Sequence, residues 1–132
     1  MDITSRNDIE ILVNTFYEKV RKDDTIGFIF NDIANVNWKY HLPIMFDFWE
    51  TLLLDAGSYN KNAMEVHYTL NRRFPLEEKY FQRWLHLFSE TVDQLFSGNI
   101  ATMAKTKAKS IAALMQFKMK QENTGFNIPG KA

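Results

Sequence analysis

Four side chains of this chain combine reactive chemistry with an inward position on a helix: His67, Tyr17, His41 and Trp84. His67 stands in MEVHYTLN (64–71). Ala63, Val66 and Leu70 share its helical face by the i, i+3, i+4, i+7 rule. An imidazole therefore occupies a place where leucine is expected. Buried histidines are usually satisfied core residues, but imidazole is also a common metal ligand, acid and base. Bare metal ions fit poorly here. Zinc needs about four N, O or S ligands, and the three histidines are scattered. The paired Glu-x-x-His of carboxylate-bridged di-iron bundles is absent, and so is His-Glu-x-x-His.

The elements that must position these residues are helical. Ile9, Leu12, Val13, Phe16, Tyr17 and Val20 follow Thr4-Ser5 at helical spacing, predicting a helix over about 6–22. DDTIGFIFNDI reads as irregular, with Gly27 as breaker. Asn37 can cap a second helix. Pro43 removes a backbone donor and crowds the preceding turn, which places the start near Leu42 or a bend there. Its stripe is Leu42, Met45, Phe46, Trp49, Leu52 and Leu53, with Gly57 as stop. His41 shares a face with Met45, Phe48, Trp49 and Leu52. SYNKN (58–62) is a loop. Asn62 and Glu65 suit a capping box for the short helix of His67. Pro75 opens a long helix over about 76–97 with Tyr80, Phe81, Trp84, Leu85, Phe88, Val92, Leu95 and Phe96 inward. Gly98 closes it. Asn99 caps a last helix over about 100–120 with Ile100, Met103, Ala104, Ala108, Ile111, Ala112 and Met115 inward. The expected architecture is all-α, without repeats.

The totals narrow the function classes. The 132 residues, 45% apolar, fit one domain, 1–132, with an ordered core over about 5–120 and a polar tail over 121–132 expected to be mobile. Sixteen basic and sixteen acidic residues cancel, which argues against nucleic acid as a partner. KTKAK (105–109) reads as the solvated face of a helix. No apolar run approaches the ~20 residues needed to cross a bilayer, so no membrane insertion is expected. MDITSRNDIE is too polar for a signal peptide. The absence of cysteine suits a cytoplasmic location and removes disulfides and thiolate chemistry. Aromatics reach 14%: eleven Phe, five Tyr and three Trp. They can fill a core, or surround something flat.

One cofactor needs a single strong protein ligand. In haem the porphyrin supplies four nitrogens, a histidine the fifth bond, and a small molecule the sixth. Haem also needs an apolar slot with a few hydrogen-bond donors. Tyr17, His41 and Trp84 can donate, although each taken singly reads more readily as core filling.

Taken together, FYEKVRKDDTIGFIFNDI, NWKYHLPIMFDFW, YNKNAMEVHYTL and FPLEEKYFQRWLHLFSETVDQLF resemble, in order and spacing, the third group of the truncated haemoglobins, bacterial two-on-two globins. The likeness spans about 5–120. It implies a shortened globin fold, two helix pairs sandwiching haem b, with O2 or another diatomic ligand at a five-coordinate iron. By this resemblance His67 is the proximal ligand. Tyr17 and Trp84 are distal donors, and His41 holds the distal-histidine site. Phe16, Phe30, Phe48 and Trp49 line the pocket. The glycine pairs of the other two groups are missing, as the third group requires.

Arg72 and Arg73 follow the His67 helix, where an arginine fork could meet a haem carboxylate or simply favour a helix C-terminus. Storage, sensing, and NO-dioxygenase-like or peroxidase-like redox activity with a reductase as electron donor all stay open, because fold does not choose the task. The reading from another class is a haem-free helical module that binds an apolar ligand or a protein partner.

Overall fold

The computed structural model describes residues 1–57, 59 and 63–124. Among these the chain is all-α: α1 (Arg6–Lys22), a π-helical turn (Ile29–Ile33), α2 (Trp38–Leu54), α3 (Ala63–Arg73), α4 (Glu78–Leu95) and α5 (Asn99–Asn123). No described helix is long and apolar enough to cross a membrane.

Helix α1 starts at a reciprocal cap. The Ser5 hydroxyl accepts the Asp8 N–H at 3.3 Å, and the Asp8 carboxylate accepts the Thr4 N–H at 2.9 Å. Asp23 ends the helix and turns the chain, its carboxylate taking the N–H groups of Thr25 and Ile26. Gly27 then passes so close to α1 that a Cβ would lie 3.0 Å from the Arg21 carbonyl oxygen. The stretch expected to be irregular closes instead as a π-turn, its end marked by Ala34 N–H donating to the Ile29 carbonyl at 2.8 Å.

Helix α2 begins at Trp38, earlier than Pro43 suggested. Asn37 caps it, and the His41 N–H closes the first turn on the Asn37 carbonyl at 2.8 Å. A proline at the sixth helical position conflicts with the Lys39 carbonyl alone. The cost falls near an end that is already capped. Asp55, in the left-handed region at φ 57°, stops the helix before Gly57 does. Arg6 ties α1 to α2 through Asp47 at 2.7 Å and Glu50 at 2.8 Å.

Helix α5 also differs from its expected start. Asn99 is its first helical residue and not its cap. The cap comes from the far end of the sequence: Asp2 accepts the N–H of Ile100 at 2.9 Å and of Ala101 at 2.8 Å. The helix runs on to Asn123, past the expected end at 120. The loop assignments at Ser58 and 60–61, the Asn62 cap, the side chain of Glu65 and the tail beyond Thr124 lie outside the described residues.

Helix α1 packs on α2 and α4, α4 packs on α5, and α3 rests chiefly on α5. A stripe of Ala101, Ala104, Ala108 and Ala112 is buried along α5, where small side chains allow close approach. Ile9, Leu12, Val13, Phe16, Val20, Phe88 and Val92 form the dry centre. A second set of large apolar residues, among them Met45, Phe48, Phe81 and Trp84, stays half-buried against this centre. Their exposed faces share one internal space.

Candidate functional site

That space is a cavity of about 990 Å³ including its open mouth. Helix α1 contributes Tyr17; the turn after it Ile26, Ile29 and Phe30; α2 His41, Met45, Phe48 and Trp49; and α3 His67 and Leu70. Leu76 precedes α4, which adds Tyr80, Phe81 and Trp84, while α5 adds Ile111, Ala112 and Met115. The four residues singled out for chemistry thus meet from four different helices. Phe30, Phe48 and Trp49 lie at the wall as well. Phe16 stands behind it, fully buried and edge-on to Trp84 with ring centroids 5.5 Å apart.

Helix α3 is turned slightly from its expected face. Val66 points outward, 66% exposed, while His67 and Leu70 reach the cavity. Arg72 and Arg73 are exposed and do not line the cavity; Arg72 turns to Glu122 at 3.6 Å.

His41 is the cavity's second imidazole. Burial lowers its pKa, and the nearby His67 lowers it further, so both effects favour the neutral ring. Its ring packs edge-on to Tyr17 and to Trp38, each centroid 5.7 Å away. Burial pushes the Tyr17 phenol up to about 12, while the Trp84 N–H facing its oxygen pulls the other way. Tyr17 is therefore a neutral hydroxyl at physiological pH. Its hydroxyl, at the cavity wall, can both donate and accept.

Trp84 is held from behind. It stacks on Phe88 at 5.7 Å, and Phe88 stacks on Trp49 at 4.6 Å. Its neighbour Arg83 reaches Asp23 through Nη2 at 2.7 Å and Nε at 2.9 Å. This fixes α4 to the end of α1, the helix of Tyr17. The Asp23 side chain is 5% exposed; burial opposes its charge, but the bonds from Arg83 and from the backbone of Ile26 and Thr25 outweigh that and lower its pKa.

Sequence reasoning assigned Tyr80, Phe81 and Met115 to the core, and it missed Leu76 and Ile29. Helical periodicity reports the inward face but cannot tell a filled interior from a hollow one. Asn71, described below, carried no signal except its place four residues after His67.

The chemistry available is specific. Among the described residues no group of three or more His, Asp or Glu side chains could hold a metal ion. His67 on a largely apolar wall shared with His41, Tyr17 and Trp84 fits a planar cofactor that brings its own equatorial ligands.

No protein-family model matches the sequence. The group 3 truncated hemoglobin ctb of Campylobacter jejuni is 32% identical over 115 residues, covering 85% of this chain and 88% of that one. The crystal structure of a group III truncated hemoglobin from Campylobacter jejuni superposes with a TM-score of 0.79 at 31% identity, covering 90% of this chain and 94% of the other. At this identity and coverage, and with a superposable all-α fold, the chain belongs to the truncated haemoglobins, in their third group.

Proposed function

We propose that the chain is a single globin unit that binds haem b in this cavity and presents it to O2 or another diatomic ligand. The observation that carries this reading is the meeting of His67 with Tyr17, His41 and Trp84 in one otherwise apolar cavity. His67 would hold the iron. Bound haem supplies a metal centre with one position left open to a small ligand.

The rest of the work falls to the chain. Phe30, Phe48, Trp49 and Phe81 exclude water and keep the local dielectric low, where each hydrogen bond counts for more. Tyr17 directs a neutral hydroxyl at the ligand space, with Trp84 beside it. His41 is half-buried and neutral, and among the described residues no hydrogen bond pins its ring beyond two edge contacts, which suits a side chain that swings to admit a ligand. Arg73 forms no ion pair among the described residues and is the arginine we assign to a haem carboxylate. The same neutral donors suit NO or peroxide chemistry, for which a reductase would supply electrons.

The test is direct. The protein purified from haem-replete cells should be red, with a strong absorption band near the blue edge of the visible and the pyridine spectrum of haem b. His67→Ala should lose haem on gel filtration. A colourless parent protein that takes up no added haem would instead favour the haem-free module.

A further inference from the structure

The described residues bury two polar side chains almost completely, Asn71 and Thr91. Thr91 is explained locally, since its hydroxyl donates to the Leu87 carbonyl one turn back at 2.7 Å. Asn71, 2% exposed, is not local at all. Its amide nitrogen donates to Glu122 Oε1 at 2.6 Å and to Asn123 Oδ1 at 2.8 Å. Its amide oxygen accepts the Leu76 N–H at 2.7 Å. Three bonds run in different directions, two to the last turn of α5 and one to the segment that enters α4. Buried amides are costly unless bonded, so this arrangement specifies one orientation of α3.

Asn71 lies four residues after His67, one turn along the same face. Helix α3 has eleven residues, too few for an isolated helix to be stable, and it rests chiefly on α5. We propose that Asn71 is a positioning residue that sets the rotation and reach of His67 by tying α3 to the α5 terminus and to the cavity-wall residue Leu76. The proposal rests on the reading of His67 as the haem ligand. Glu122 completes the tie. Its second oxygen is buried without a hydrogen bond and meets only the charge of Arg72 at 3.6 Å.

Three variants test this: Asn71→Ala, Glu122→Gln, and the pair Glu122→Ala with Asn123→Ala. Asn71→Ala should release haem to excess apomyoglobin about tenfold faster or more, the loss expected for a buried bond to a charged partner. It should also shift the iron–histidine stretching band of the ferrous protein. Glu122→Gln keeps an acceptor but loses its charge, and its haem release should fall between the parent and Asn71→Ala. Adding the Glu122→Ala and Asn123→Ala pair to Asn71→Ala should produce little further change, because the two ends share one set of bonds. Hydrogen exchange on haem-free protein supplies an arm independent of the cofactor. There, Asn71→Ala should lose protection in α3 while α1 and α4 keep theirs. Uniform loss of protection with an unshifted band, or unchanged exchange in α3 with unchanged haem release, would overturn the tie. Haem retained with an unchanged iron–histidine band in His67→Gly would instead sink the ligand reading, leaving the exchange arm to judge the tie alone.

Discussion

Tyr17 and Trp84 both pack their rings on Phe16, with centroids 4.8 Å and 5.5 Å away, across the join between α1 and α4. The two donors proposed for one ligand thus stand on a single buried ring at the same cavity wall. Tyr17→Phe removes one donor and keeps the ring. A hydrogen bond to a charged acceptor contributes roughly 1.5–3 kcal/mol, so O2 release should quicken by a factor of about 10 to 150. Carbon monoxide, a weak acceptor, should leave at nearly the parent rate. Trp84→Phe should also quicken release, and the double variant should fall short of the product of the two. Stopped-flow release of O2 decides; parent-like release from Tyr17→Phe would show that the hydroxyl does not hold the ligand.

The His41 ring meets Tyr17 and Trp38 edge-on, with no hydrogen bond to pin it among the described residues, which suits a gate more than a clamp. His41→Ala should change ligand association rates more than dissociation rates in flash photolysis. The opposite pattern would make it a direct ligand partner.

The same residue links folding to pH. Its folded pKa lies below the ordinary 6.5 because of burial and the nearby His67. Below about pH 6.5 the unfolded chain takes up a proton that the folded one resists, so stability falls as pH drops from there toward the folded pKa. Urea titrations of the haem-free protein at pH 7.5 and 5.5 should show this loss, and His41→Phe should reduce it. An equal loss in both proteins would assign the effect to other groups.

Arg83 and Asp23 fix the spacing between the helices of Trp84 and Tyr17. Asp23→Asn removes the charge, weakening the pair with the Arg83 guanidinium. A broken partly buried ion pair with its hydrogen bonds should destabilise the fold by about 1–3 kcal/mol in urea. It should also quicken O2 release without changing haem content. Normal release in a destabilised protein would make the pair purely structural.

Gly98 sits at φ 132°, and a Cβ there would lie 2.6 Å from the Asp2 carboxylate. Gly98→Ala should therefore lower the midpoint of thermal unfolding by both backbone strain and loss of the α5 cap. Asp2→Ala removes only the cap. The Asp2 pKa is lowered chiefly by the Ile100 N–H, so its contribution is present above about pH 4 and fades as pH falls through the lowered value. A Gly98→Ala midpoint no lower than that of Asp2→Ala would show that the backbone angle costs nothing.

The four long helices were legible because each carries a continuous apolar stripe. His67, Tyr17, His41 and Trp84 were legible as inward polar residues, and resemblance brought them together. What escaped depended on contacts distant in sequence. The cap of α5 comes from Asp2, 98 residues before Ile100. The partners of Asn71 lie 51 and 52 residues away. Pro43 misled because its cost depends on the cap next to it: Asn37 closes the first turn before the proline can disturb it. The cavity itself was hidden, since a stripe of Tyr80, Phe81 and Trp84 has the same period whether it meets side chains or empty space.

A hollow interior also has a mechanical consequence. Pressure favours whichever state has the smaller volume, and unfolding eliminates internal voids. Without haem, this fold surrounds a space that is open at its mouth but lined mainly by apolar side chains, which hold water weakly. The haem-free chain should therefore unfold at much lower hydrostatic pressure than its melting temperature alone would suggest, with the gap closing once the space is filled. Tryptophan fluorescence under pressure would follow the transition, because Trp49 and Trp84 stand at the wall of the collapsing space.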